Sequence, residues 1–403
     1  MSNPPKSVPP KSVPPKSIPF IDLQAQRRRI ASEIARAISE TVEGGAYILG
    51  PPVRELEAAL SALTGASHTV SCANGTDALN LPLMAWGIGP GDAVFCPSFT
   101  FAATAGIIAL TGATPVFVDI DEASYNIDPA HLEKSIQSVL ADKKLTPRVI
   151  IAVDLFGQLA DYPAISEIAK KYALKLISDC AQGFGATLNN HHSIAWADVV
   201  TTSFFPAKPL GCYGDGGALQ TNDASLADKI ISLRMHGQAN DADCASLDYA
   251  HAPKYLNVRI GINSRLDSIQ AAILLEKLKI FEDEIERRNV VAQRYNEHLQ
   301  DVASQVPSVI DGARSVWAQY TIETEHRDGL GDHLRRQGIP SAIYYPVPMH
   351  QQKAYARHVV VGEGLPVTER KADRVISLPM HPYLDEATQD RIIDGVKAFN
   401  AHG

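Results

Sequence analysis

The chain has 403 residues, 45% of them hydrophobic, enough for one large domain and a smaller companion. Its formal net charge of −8 argues against the basic face of a general nucleic-acid binder. The five cysteines form no CxxC pair, so neither a zinc site nor a disulfide framework is expected, and the absence of an 18-residue apolar run or signal-type leader points to a cytoplasmic protein.

The chain opens on a five-residue repeat, PPKSV, PPKSV and PPKSI over 4–18. Paired prolines favour extended polyproline II, and nothing there is apolar enough to bury, so residues 1–18 read as a disordered tail. Residues 22–43 read as one amphipathic helix ended by Gly44-Gly45. Short apolar runs at 68–72, 93–96, 115–118, 149–153, 174–178 and 198–202 read as strands, with helices near 76–86, 101–111, 129–140 and 163–173 between them. That alternation predicts an α/β fold with a mainly parallel sheet covered on both faces, and ligands at the strands' carboxyl ends. A long helix over 266–298, a strand over 315–322 and a closing helix over 386–399 predict a smaller α+β unit from 266 to 403, after a large domain over 19–265.

Five segments carry chemistry-bearing residues, and each has an ordinary alternative. In SFFPAKPLGCYGDGGA (203–218), Lys208 sits in a loop flanked by Phe204, Phe205, Pro206, Pro209 and Leu210. It is either a solvated surface lysine or an amine whose pKa is depressed by apolar neighbours, as imine formation requires. In SDCAQGFGA (178–186), Asp179 ends a strand and either caps a helix or pairs with a protonated pyridine nitrogen, with Gln182 in reach of the same ring. In SCANGTDAL (71–79), Gly75 and Thr76 open a helix, where backbone N–H groups suit a phosphate; an ordinary cap by Asn74 or Thr76 explains the segment equally well. Phe101 in SFTFAATA is either core or a stacking face for a planar cofactor. Asn263 and Arg265 stand in GINSRLDSIQAA before the long helix; the arginine fork suits a carboxylate, a phosphate or a surface ion pair.

Taken together, in order and content, these segments resemble the DegT/DnrJ/EryC1/StrS family of pyridoxal-phosphate (PLP) sugar aminotransferases, from about residue 18 to the C-terminus. The resemblance implies a fold type I (aspartate-aminotransferase-like) architecture, with a seven-stranded-type sheet and a smaller α+β C-terminal domain. It implies Lys208 as the Schiff-base lysine and proton shuttle, Asp179 at the pyridine nitrogen and Gln182 at the ring hydroxyl. It implies Phe101 stacked on the ring, and Gly75, Thr76 and Ser203 on the phosphate, with Asn263 completing that site from a second subunit of a homodimer. The wording of GGAYILG, SFFPAKPLGCYGDGG, GINSRLDSIQAAIL and SLPMHPYL is similar to the branch acting on UDP-2-acetamido-2-deoxy-3-oxo-glucuronate in O-antigen-type glycan synthesis. By that similarity Gly45, Tyr47, Arg265 and Tyr345 contact the nucleotide sugar, Arg265 meeting its carboxylate across the dimer interface.

Two features depart from that branch: Tyr344, where its members tend to carry His, and a longer segment over 238–257. Both bear on the sugar pocket, so dTDP-linked 3-keto-6-deoxysugars and 4-keto sugars stay open as substrates. Lys208 argues against the family's dehydratases, which carry His in its place. A non-catalytic PLP-binding regulator lacks support in any helix-turn-helix or basic stripe. The expected reaction passes the amino group of glutamate to C3 of a keto sugar in two half-reactions, which implies ping-pong kinetics.

Overall fold

The computed structural model describes residues 18–247, 255–362 and 364–400. The repeat up to residue 17 and the middle of the 238–257 segment lie outside these residues. Ile18 is buried against the C-terminal core.

The run expected as one helix over 22–43 forms two, Leu23–Arg29 and Ala31–Gly44, broken at Ile30, whose backbone (φ −127°, ψ 34°) is not helical. The two pieces have different work. Ile30 and Ile34 pack on Ile273, whereas the first piece buries nothing and bonds through Gln26 to Glu284 and Arg29 to Asp283. A further helix, Pro51–Thr64, follows; its Pro start and its Gly65 cap in the left-handed region mark its ends.

The main sheet is built from β1 (His68–Cys72), β2 (Asp92–Pro97), β3 (Thr114–Val118), β4 (Thr146–Val153) and β5 (Lys175–Asp179). After a short β6 (Thr187–Leu188) outside it, β7 (Val199–Ser203) and β8 (Gly217–Thr221) complete seven strands. Farther along come β9 (Ala313–Arg314), paired with β6, then β10 (Tyr320–Glu323), β11 (Val359–Val360) and β12 (Val375–Leu378). The two-residue β11 adds an eighth, parallel strand at the edge, giving the order β1-β8-β7-β5-β4-β2-β3-β11. Pairing is parallel except for β8, which runs antiparallel to both its neighbours. β1, β2, β5 and β7 therefore end on one edge of the sheet.

Burial on both faces explains why these strands read as apolar runs. Along β2, Ala93 and Phe95 join one core while Val94 and Cys96 join the other. The helix Ser268–Leu299 serves two cores: Ala271, Leu274, Phe281 and Ile285 pack toward the main sheet, and Val291, Ala292, Tyr295 and Leu299 pack with the antiparallel β10–β12 pair. The strand expected over 315–322 is displaced; β10 starts at Tyr320, after Trp317 takes a positive φ of 48°. No helix among the described residues is long and apolar enough to cross a membrane.

Candidate active site

The shared strand edge gathers most of the expected residues. Gly75 and Thr76 follow β1, Phe101 follows β2, Asp179 ends β5, and Ser203 ends β7 five residues before Lys208.

Asp179 is buried. Its Oδ2 accepts from Thr104 Oγ1 at 2.9 Å, and Thr104 in turn lies 3.1 Å from Thr100 Oγ1. Burial pushes the Asp179 carboxyl above its usual range, opposed by the Thr104 hydroxyl, by the positive charge of Lys208 and by the Ala181 N–H. Lys208 moves the other way. Burial lowers its amine, with Asp179 pulling it back. Each group is thus the other's electrostatic partner. An amine with depressed pKa beside a sequestered carboxylate is the pairing an imine-forming site needs. Thr104 was missed in the sequence because its helix reads as apolar throughout.

Gln182 is also buried, and its amide is held at both ends: Oε1 accepts from Phe156 N at 2.9 Å, and Nε2 donates to the Tyr345 hydroxyl at 3.1 Å. One amide hydrogen is left over for a ligand. Tyr345, expected only as a sugar contact, therefore belongs to the same cluster. Phe101 caps its helix with its ring 58% exposed, 6.4 Å from the Tyr345 ring at 41°. It is an uncovered aromatic face on the ligand edge, not a core residue. Tyr344 stacks edge-on against Tyr345 at 5.8 Å and against Phe20 at 6.4 Å.

The helix Gly75–Trp86 is capped by Asn74, whose side chain accepts from Asp77 N at 2.8 Å. Thr76 is consequently not the cap and is exposed. A Cβ on Gly75 would stand 2.5 Å from Ser203 Cβ, so glycine here lets the helix start approach Ser203. The helix start, with its N–H groups and dipole, thus lies against Ser203, an arrangement suited to a phosphate.

The remaining residues form a second group. Ser264 anchors their loop, donating to Asp77 Oδ2 at 2.7 Å and accepting from Ala73 N at 3.1 Å. Its neighbours Asn263 and Arg265 are exposed and partly exposed. Tyr47 is 49% exposed, and its carbonyl accepts from Ser268 N at 2.8 Å, so it lies beside the Arg265 loop. Gly45 has a backbone role of its own: with φ of 70° it ends the helix Ala31–Gly44.

These residues fit pyridoxal phosphate: a desolvated lysine, a buried carboxylate, an open aromatic face and a glycine-cleared helix start occupy one edge of the sheet. A model of the DegT/DnrJ/EryC1/StrS aminotransferase family matches residues 28–397. The chain belongs to that family. It is 47% identical to the UDP-2-acetamido-2-deoxy-3-oxo-D-glucuronate aminotransferase of Pseudomonas aeruginosa over 371 residues, 92% of this chain and 96% of that protein. It is 53% identical to a solved DegT/DnrJ/EryC1/StrS aminotransferase from Brucella abortus, with a TM-score of 0.90 over 95% of this chain and 99% of the other. A Bacillus subtilis protein solved with the cofactor PMP bound is 27% identical, with a TM-score of 0.84, covering 97% of this chain and 86% of that one. Family and neighbours make this a fold type I, PLP-dependent aminotransferase.

Proposed function

We propose that this aminotransferase moves the amino group of glutamate to C3 of a UDP-linked 3-keto sugar. Its substrate is UDP-2-acetamido-2-deoxy-3-oxo-glucuronate, on the way to a surface polysaccharide of O-antigen type, and it works in the cytoplasm as a homodimer. The coupled pair Lys208–Asp179 carries the reaction class. The relative at 47% identity carries the substrate.

Bound here, pyridoxal phosphate supplies a carbonyl that takes up an amino group and a ring that accepts the electrons left when a C–H proton departs. Lys208, whose lowered pKa leaves more of it neutral, takes that proton from the substrate carbon and returns it. Asp179 would accept the pyridine N–H and balance its charge, its carboxylate oriented by Thr104. Gln182 turns its spare N–H to the ring hydroxyl. Gly75, Thr76 and Ser203 would hold the phosphate and keep the cofactor oriented. Asn263 completes that phosphate site from the second subunit. Arg265 meets the uronate carboxylate beside Tyr47, across the same interface, and Tyr344 and Tyr345 wall the sugar. The exposure of Asn263, Arg265 and Tyr47 on the single chain supports sharing between subunits.

The test is a panel of 3-keto and 4-keto UDP- and dTDP-sugars offered with glutamate and read by mass spectrometry. The UDP-3-keto-uronate is expected to be aminated fastest, with parallel double-reciprocal lines. No amination of any sugar would sink the proposal, and a preferred dTDP- or 4-keto sugar would move the substrate.

A further inference from the structure

Ser98, at the end of β2, meets a loop 252 residues away. Its Oγ lies 2.7 Å from His350 Nδ1, and the far side of the ring, Nε2, lies 3.0 Å from Glu369 Oε1. A serine, a histidine and a carboxylate in line are the parts of a hydrolytic triad, but two facts exclude that use. Ser98 is fully buried, and its Oγ already accepts the His350 backbone N–H at 3.1 Å. No substrate reaches that oxygen.

The donors and acceptors instead close a clamp. In the neutral ring the Glu369 carboxylate, an acceptor, selects the tautomer with a proton on Nε2. Nδ1 is then an acceptor, and the Ser98 hydroxyl donates to it. The Met349 N–H adds a bond to the Ser98 carbonyl at 2.9 Å. Glu369 is itself fixed: its helix, Pro366–Arg374, starts on Asp119, which accepts from Val367 N at 3.0 Å and Thr368 N at 2.8 Å.

What the clamp joins gives it a role in the site. Three residues after Ser98 stands Phe101, and five before His350 stands Tyr345. Tyr345 packs edge-on to Phe99 at 6.2 Å, tilts against Phe101 at 6.4 Å, and accepts from Gln182. We infer that Ser98, His350 and Glu369 are positioning residues that fix Tyr345 against Phe101 and Gln182 and so set the grip on the keto sugar. This rests on the reading that Tyr345 walls the sugar.

Two measurements on the cofactor-loaded protein test it: each half-reaction kinetically, and hydrogen exchange of the peptide spanning 344–352. H350A is expected to raise the keto-sugar KM about tenfold or more, the scale of one or two lost buried hydrogen bonds, with kcat and the glutamate half-reaction changed less than threefold. H350N, which keeps a group near the Nδ1 position, is expected to recover part of the loss, and E369A to show a smaller rise. In H350A the 344–352 peptide exchanges faster while peptides of β4 and β5 do not. Equal damage to both half-reactions, or an unchanged sugar KM, overturns the inference. Should the wild-type protein aminate no keto sugar, the substrate reading falls, and unchanged exchange of 344–352 in H350A would still count against the clamp independently.

Discussion

Thr104 Oγ1 donates to Asp179 Oδ2 at 2.9 Å, a neutral hydroxyl holding the buried carboxylate whose charge acts on Lys208. The bond works against burial, which favours the protonated acid. T104V removes that opposition, so the Asp179 pKa rises further and less of it is ionised to pair with a ring nitrogen. Affinity for pyridoxal phosphate is expected to fall about tenfold to a hundredfold, the scale of a hydrogen bond to a charged group. The loss should be larger at pH 6 than at pH 8, as measured by fluorescence titration.

Gly75 tests the phosphate cradle. Alanine is normally the better helix former, but here its Cβ would stand 2.5 Å from Ser203 Cβ. G75A is expected to fold, with cofactor affinity lowered at least tenfold and the Kd for inorganic phosphate raised in parallel, both by calorimetry.

Asp154 lies one hydrogen bond behind the site, its N–H donating to the Asp179 carbonyl at 3.0 Å. Burial raises its carboxyl to about 7, against the Tyr162 hydroxyl at 2.7 Å and the Ala160 N–H at 3.1 Å. A carboxyl whose folded pKa is raised contributes stability that is present below its unfolded value, near 4, and lost as pH rises through about 7. The unfolding free energy of the cofactor-free protein, measured by urea titration, should therefore fall between pH 5 and pH 8, by at most about 1.4 kcal/mol per pH unit from this proton. D154N should flatten that slope.

Arg265 decides uronate from neutral sugar. R265A is expected to cut kcat/KM for the 3-keto-uronate about a hundredfold and for the matching neutral sugar less than threefold, because only the first loses a charge-assisted fork. Equal losses would assign Arg265 to the nucleotide or to the interface.

Local pattern sufficed for the elements that carry the site. β1 matched its expected range, and the helices Gly75–Trp86 and Ala102–Leu110 start within one residue of the expected 76 and 101. What escaped had no local signal. β8 (Gly217–Thr221) is a short run beginning on glycine, and the two residues of β11 belong to the sheet only through a neighbour more than 240 positions away. The break at Ile30 falls within a continuous helical pattern and is decided by which partners the two pieces meet. In the site, Asp179 and Lys208 were legible because each sits among unusual neighbours in sequence. Thr104, and the clamp of Ser98, His350 and Glu369, are ordinary residues locally and acquire meaning only when distant strands and loops converge.

We propose that Lys208, and no other lysine, binds the cofactor covalently. Lys277 is the sharpest internal control: it is buried, with a pKa lowered to about 8, but its Nζ is spent on the Gly211 carbonyl at 2.5 Å and on the face of Tyr213 at 4.4 Å. The protein loaded with pyridoxal phosphate should be reduced with borohydride, digested and mapped by mass spectrometry. The expected result is a single stable adduct on Lys208, absent from K208A along with turnover. An adduct on Lys277 or another lysine, or none on a protein that still transaminates, would contradict it.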